Sequence, residues 1–199
     1  MFYVNPEYKK LTDEELISEF QKDRIEAYNE IIVRYKDRLV NFLFRFTGSK
    51  EDAEDLAQDT FLKLYRSKHL YKEIAKFSTW LYTIAVNIAK TELRKKSRYN
   101  TMSISDFDPE NDKDFDIPSG DISPDESANA SIENYYIQKA ISMLEDHYRE
   151  ALILRDIQDL DYDEIAKIIN VPLGTVKSRI NRAREKLKTI LEEIYKPKE

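Results

Sequence analysis

Residues 162–191, YDEIAKIINVPLGTVKSRINRAREKLKTIL, read as a short helix, a tight turn and a longer basic helix with two chemically different faces. On the second helix Val176, Ile180, Ala183, Leu187, Ile190 and Ile194 recur at alternating spacings of four and three, a continuous stripe that must face a core. Lys177, Ser178, Asn181, Arg182 and Lys186 fall on the opposite face. In the first helix Tyr162, Ile165, Ala166 and Ile169 supply the apolar side, and Asp161 with Glu164 has the spacing of a capping box. Asn170 stands where that helix must stop, because Asn tolerates a left-handed backbone better than any residue but Gly. Pro172 pre-sets the backbone angle that starts the next helix. Two helices joined by so short a turn, the second cationic outside, predict a helix-turn-helix, with early residues of the second helix against base edges and later cations against phosphates.

A cationic helical face is usually just solvated. Here six cations against Glu185 alone lie between Lys177 and Lys188, a net of +5 in a chain whose total is −6. The overall acidity is itself localised. Between Tyr99 and Glu133 there are ten acids and one base, Lys113, so this segment carries −9 and the remainder +3.

Composition sets further bounds. A chain of 199 residues with 41% apolar content can build one large core or two small ones. Three glycines leave little room for Gly-rich phosphate loops. The absence of cysteine excludes disulfides and thiolate-held zinc, and it fits a reducing cytoplasm. His69 and His147 have no spacing typical of metal ligands, so neither a metal nor a cofactor is expected. No signal-length or membrane-length apolar run occurs, which predicts a cytoplasmic protein without membrane insertion.

The predicted fold class is all-α: two small helical domains, 1–98 and 132–199, joined by a flexible acidic linker over 99–131 that holds Pro109, Pro118, Gly120 and Pro124. In the first domain Thr12 and Glu15 mark a capping box, and helical patterning runs on to Phe46. Gly48 then ends a helix and Ser49 caps the next. That next helix buries Ala53, Leu56, Ala57, Phe61 and Leu64. It leaves Asp52, Asp55, Gln58, Asp59, Leu62 and Arg66 outside, an acidic face with one exposed leucine that suits a protein partner better than a phosphate backbone. Residues 77–98, FSTWLYTIAVNIAKTELRKKSR, predict a helix capped by Ser78 with a stripe of Phe77, Trp80, Leu81, Ile84, Ala85 and Ile88. Thr79, Thr83, Asn87, Lys90 and Arg94 share another face, and the segment ends in Arg94, Lys95, Lys96 and Arg98. Amide and hydroxyl groups followed by cations suit single-stranded or melting DNA. After the linker, helical spacing resumes at Ile132, Tyr135, Tyr136, Ala140, Met143 and Leu144. YREALILRDI then predicts a buried helix beneath the helix-turn-helix.

DAEDLAQDTFLKLY, then FSTWLYTIAVN with Arg94 seven residues beyond Asn87, then DYDEIAKIINVPLGTVKSRINRAREKL, resemble in order the signature segments of the sigma-70 family, extracytoplasmic-function class. The resemblance implies a first domain like sigma region two, with Asp55, Gln58, Asp59 and Leu62 docking on the β′ clamp helices of RNA polymerase core. Trp80, Thr83, Asn87, Lys90, Arg94, Lys95 and Arg98, with the loop 67–76, would open and hold the minus-ten promoter element. A second domain like region four would meet the β flap and read the minus-thirty-five element through Thr175, Lys177, Ser178, Asn181, Arg182 and Arg184. The acidic linker would lie in the polymerase's nucleic-acid channel. An anti-sigma factor is implied as a further partner, and no catalytic residue is implied. Thr91 and Val86 depart from the family's common Asp and Arg beside Asn87, and Asn170 replaces a common Gly. The alternative reading is a stand-alone helix-turn-helix transcriptional regulator.

Overall fold

The computed structural model describes residues 6–102 and 124–195, with side chains over 6–96 and 133–195. The described residues form helices and turns with no strand: α1 (Asp13–Gln21), α2 (Ile25–Thr47), α3 (Lys50–Ser67), α4 (Phe77–Met102), α5 (Pro124–Ser142), α6 (Asp146–Leu152), α7 (Tyr162–Ile169) and α8 (Leu173–Tyr195). Short 3-10 turns occupy Tyr8–Lys10 and Lys68–Leu70, and a π turn, Ile153–Ile157, extends α6. The acidic residues between 103 and 123, and with them most of the predicted linker, lie outside the described residues. Helix α5 begins at Pro124, inside the predicted linker, with proline at the first helical position, where its missing N–H costs nothing.

In the first domain α2 is the central helix, packed against α1, α3 and α4. Leu16, Ile17, Phe20, Ile31, Leu39, Phe42, Leu43, Leu64, Phe77, Leu81 and Tyr82 close the core. Its aromatics meet edge to face, Phe42 against both Phe46 and Tyr82 with ring centres 5.0 Å apart. The helix ends follow local chemistry. The Glu15 N–H donates to Thr12 Oγ1 at 3.2 Å while the Thr12 N–H donates to Glu15 Oε2 at 2.7 Å, the predicted reciprocal cap. Gly48 takes φ 70° and its N–H closes on the Phe44 carbonyl at 2.8 Å; Ser49 Oγ then accepts the Asp52 N–H.

Two departures from the sequence reading occur at α4. Its first turn is not capped by Ser78. Phe77 already begins the helix, and its N–H donates to Glu14 Oε1 of α1 at 3.0 Å. The buried set is also rotated: Phe77, Leu81, Tyr82, Ala85, Val86 and Ala89 are buried, with Thr79, while Trp80, Ile84 and Ile88 are half-buried. The cause is a second covering surface. Helix α4 is packed by α2 and α3 on one side and by α7 of the other domain on another.

The second domain closes over Ile141, Leu144, Ala151, Leu152, Ile153, Leu154, Leu160, Ile165, Ile168, Ile169, Val176, Ile180 and Ala183. Met143, predicted inward, is exposed and Ile141 takes the core position. The predicted helix after it winds out of α geometry at Ile153–Ile157. On α8 the stripe is buried through Ala183, and Leu187, Ile190 and Ile194 are half-buried. Asn170 takes the left-handed backbone the turn requires, at φ 53°.

A buried cation ties this domain together. Arg149 donates from Nε to the Ile141 carbonyl at 3.1 Å, and from Nη2 to the carbonyls of Ser142 and Leu144 at 2.7 and 2.8 Å. These carbonyls lie at and just beyond the end of α5, where few helical N–H groups remain to fill them, and the Leu144 N–H also reaches that of Ile141 at 3.2 Å. Arg149→Ala leaves the Ser142 and Leu144 carbonyls without this donor beside the core and is expected to cost about 3 kcal/mol. Urea unfolding should give a lower midpoint at unchanged slope; a midpoint within error of wild type would remove Arg149 from this role.

Candidate nucleic-acid and polymerase interfaces

Helix α8 presents its basic face to solvent. Lys177, Ser178, Asn181, Arg182 and Arg184 are exposed and Thr175 is half-buried, while Val176, Ile180 and Ala183 point inward. The Ser178 hydroxyl donates to the Thr175 carbonyl at 3.0 Å, which seats both side chains on the first turns. Lys177 and Arg182 have no carboxylate partner among the described residues. Arg184 differs. Its Nε donates to Asp156 Oδ2 at 2.9 Å and a second nitrogen reaches the other oxygen, so this cation is committed to its own domain. Asp156 also pushes the Arg184 pKa up. Lys186 pairs with Glu145 at 2.7 Å in the same way. The cations left for phosphate are therefore concentrated toward the front half of the helix, the end a groove-entering helix offers to bases.

Helix α3 leaves Asp55, Gln58, Asp59 and Leu62 together on one exposed face, with Leu62 51% exposed. The packing of Ala53, Leu56, Ala57, Phe61 and Leu64 against α2 and α4 fixes that orientation. A shallow cleft between α3 and α4, lined by Leu56, Asp59, Asn87, Ile88 and Thr91, brings this acidic face next to the predicted minus-ten face.

The residues predicted to meet the minus-ten element divide into three groups. Asn87, Arg94 and Lys95 are exposed along α4, with Lys95 paired to Glu92 at 3.2 Å. Trp80 and Thr83 are half-buried, Trp80 stacking obliquely on Tyr71 with ring centres 5.4 Å apart and Thr83 donating to the Thr79 carbonyl. Lys90 turns toward the other domain, its Nζ 2.7 Å from Glu150 Oε1 of α6. Arg98 falls within α4, but its side chain lies outside the described residues.

The loop before α4 is held from below and bare above. Gln21 of α1 donates both amide hydrogens, to the Lys68 carbonyl at 2.8 Å and the Tyr71 carbonyl at 3.1 Å. Lys68 is buried against the ring of Phe20 at 4.5 Å and pairs with Asp23, which sits in the left-handed region at φ 67°. Above this base Leu70 and Ile74 stand 72% and 83% exposed. Sequence reasoning placed the loop but missed Gln21 and Asp23, whose contacts lie more than forty residues away and leave no local signal.

Sequence reasoning also missed the seam between the domains. Lys76 pairs with Glu164 of α7 at 3.0 Å, and Thr79 donates to the same carboxylate at 3.4 Å. The Tyr82 hydroxyl donates to Gln158 Oε1, and Gln138 of α5 accepts from Arg45 of α2 at 3.1 Å. Burial works to raise the Glu164 carboxyl, but Lys76 and the Asp161 N–H outweigh it, so the group ionises below its ordinary range. Glu150 shows the opposite balance. It is 2% exposed, and desolvation pushes its carboxyl up against the opposing pull of Lys90. The Lys90 ammonium makes contact there without good hydrogen-bond alignment, and no other donor reaches Glu150 Oε1. Among the described residues no group of His, Cys, Asp and Glu is placed to hold a metal ion, and no helix is long and apolar enough to cross a membrane.

Comparison with known proteins matches the same two bodies. Residues 31–99 match the family model for sigma-70 region 2, and residues 135–187 that for sigma-70 region 4. The chain is 33% identical over 180 residues to the ECF RNA polymerase sigma factor SigW of Bacillus subtilis, covering 89% of this chain and 96% of that protein. It is 36% identical over 180 residues to the ECF RNA polymerase sigma-E factor of Escherichia coli K12, covering 89% and 93%. Among solved structures, the sigma factor RpoE of Bartonella quintana, in complex with the anti-sigma factor NepR, superposes with a TM-score of 0.66 at 26% identity over 84% of this chain and 98% of that one. CnrH, in complex with the cytosolic domain of CnrY, shares the fold at a TM-score of 0.65 and 20% identity, over 91% of this chain and 97% of that one. The stand-alone regulator is not favoured by relatives that align over nearly their whole length. With both signature regions matched in order and the helix-turn-helix face turned outward, the chain belongs to the sigma-70 family as an extracytoplasmic-function sigma factor.

Proposed function

We propose that this chain works in the cytoplasm as a non-enzymatic initiation factor, directing RNA polymerase core to a set of promoters and assisting their opening. The observation that carries the reading is the outward placement of Lys177, Ser178, Asn181 and Arg182 on a helix whose other side is locked into a core. That geometry delivers amide, hydroxyl and guanidinium groups to base edges and phosphates of a minus-thirty-five element. Thr175 supports the first turn, and Arg184 contributes its field rather than a freely reorienting contact.

On the first domain, Asn87, Arg94, Lys95 and Arg98 track a strand of the minus-ten element. Trp80, Thr83 and the exposed Leu70 and Ile74 offer surfaces for unstacked bases. Extruding a base costs a few kcal/mol, which the polymerase-anchored contacts offset. Asp55, Gln58, Asp59 and Leu62 dock on the β′ clamp helices, and the second domain meets the β flap. Phosphoryl transfer belongs to the polymerase. An anti-sigma factor as regulator is supported by the complex in which the Bartonella neighbour was solved.

Start-site-specific transcription from a promoter library by core polymerase plus this protein tests the whole reading; no selected start site would end it. Arg182→Ala should weaken the upstream element by about 1–3 kcal/mol while core co-purifies at wild-type yield. Loss of core binding in that variant would reverse the assignment of faces. Leu62→Asp and Asp59→Lys should each abolish co-purification with core while the thermal melt is unchanged, and wild-type yield from both would exclude α3 as the docking face.

A further inference from the structure

Helix α1 contains none of the residues assigned to promoter DNA or to polymerase, yet its C-terminal end carries the loop before α4. The ring of Phe20 lies 4.5 Å from the buried Lys68 ammonium, and Asp23, just past the helix, pairs with that ammonium. Gln21 between them gives one amide hydrogen to the Lys68 carbonyl and the other to the Tyr71 carbonyl, so the two acceptors it clamps bracket Leu70. A second staple follows at once. The Tyr71 hydroxyl donates to the Ala75 carbonyl at 2.9 Å and brackets Ile74. The Tyr71 ring is wedged between Phe77 and Trp80, with ring centres 5.9 and 5.4 Å away. Side chains from two parts of the fold are thus engaged by the loop's backbone, while Leu70 and Ile74 remain 72% and 83% exposed. Folding alone favours the reverse, because burying a leucine or isoleucine is what stabilises a loop against its domain.

Resting on the sigma-factor reading above, we propose that Gln21 and Tyr71 are positioning residues for promoter opening. They hold Leu70 and Ile74 outward, in the arrangement in which unstacked minus-ten bases meet them, and Gln21 does so through the loop backbone without touching DNA. A loop free to fluctuate would have to be ordered at the moment a base leaves the stack, which adds to the cost of extruding it. A loop set in advance removes that addition.

Gln21→Met keeps the length of the side chain and removes both donors; Tyr71→Phe keeps the ring and removes the hydroxyl. The chain has no cysteine, so a nitroxide can be placed on the exposed Lys72 through Lys72→Cys. Its spectrum should show an ordered loop in the free wild-type protein and a more mobile one in either variant. With core polymerase, each variant should bind several-fold more weakly to a promoter recovered from the library and left single-stranded across its minus-ten element. Affinity for the duplex minus-thirty-five fragment and co-purification with core should stay at the wild-type level. The weakening should vanish in a chain that already carries Leu70→Ala and Ile74→Ala, because positioning acts through those side chains. A mobile wild-type loop overturns the proposal, as does a loop that stays ordered in both variants. Undiminished affinity in variants with a mobile loop overturns it too, and so does a loss that persists in full without Leu70 and Ile74. All four outcomes leave start-site selection by the wild type intact. A wild-type chain that selects no start site brings down the sigma-factor reading and this proposal with it.

Discussion

Glu150 imposes the constraint around which the two domains are arranged. Burial this far from water works against the charged form of its carboxyl, and the ammonium that opposes this comes from Lys90 on a helix of the other domain. The same logic repeats at Tyr82, a phenol buried in the first core whose hydrogen-bond partner is Gln158. Each domain therefore closes its own apolar core and leaves a polar group on the shared boundary that the other domain helps to complete. A seam of this kind specifies orientation more than it adds stability, because desolvation offsets much of what the ion pair contributes.

The parts of the fold that were legible in the sequence are those decided within one turn of helix. Thr12 with Glu15, Gly48 with Ser49, Asp161 with Glu164, and Asn170 all act where they were expected, since a cap is satisfied by residues three or four positions away. Asp23 is the counter-example. It takes the left-handed backbone that ends α1, where the Asp23 and Arg24 N–H groups close on the Phe20 and Glu19 carbonyls, and a buried lysine from a distant turn pairs with its side chain. The cap of α4 was misassigned for a similar reason: Ser78 has the right chemistry, but Glu14 of α1 already fills the acceptor position.

Periodicity found the outward face of α8 and the acidic face of α3 because each helix has one covered side. It failed on α4, where two separate surfaces cover the helix and the buried arc includes a threonine. It also counted Arg184 as equivalent to Arg182. Charge type and spacing are the same for both, and only the fold shows that Asp156 takes one of them.

The π turn at Ile153–Ile157 has a consequence for how this protein tolerates change. The N–H of Gln158 reaches back five residues to the Ile153 carbonyl at 3.1 Å, so the turn holds one residue more than an α-helix would. Each residue of an ordinary helix advances the side-chain direction by about 100°. Shortening this segment by a single position would leave the surrounding hydrophobic residues able to repack, yet would aim the Gln158 amide away from the phenol of its neighbour. The permitted length of that turn is thus dictated from across the boundary, and lineages that gain or lose a residue there would have to renegotiate how their two halves meet.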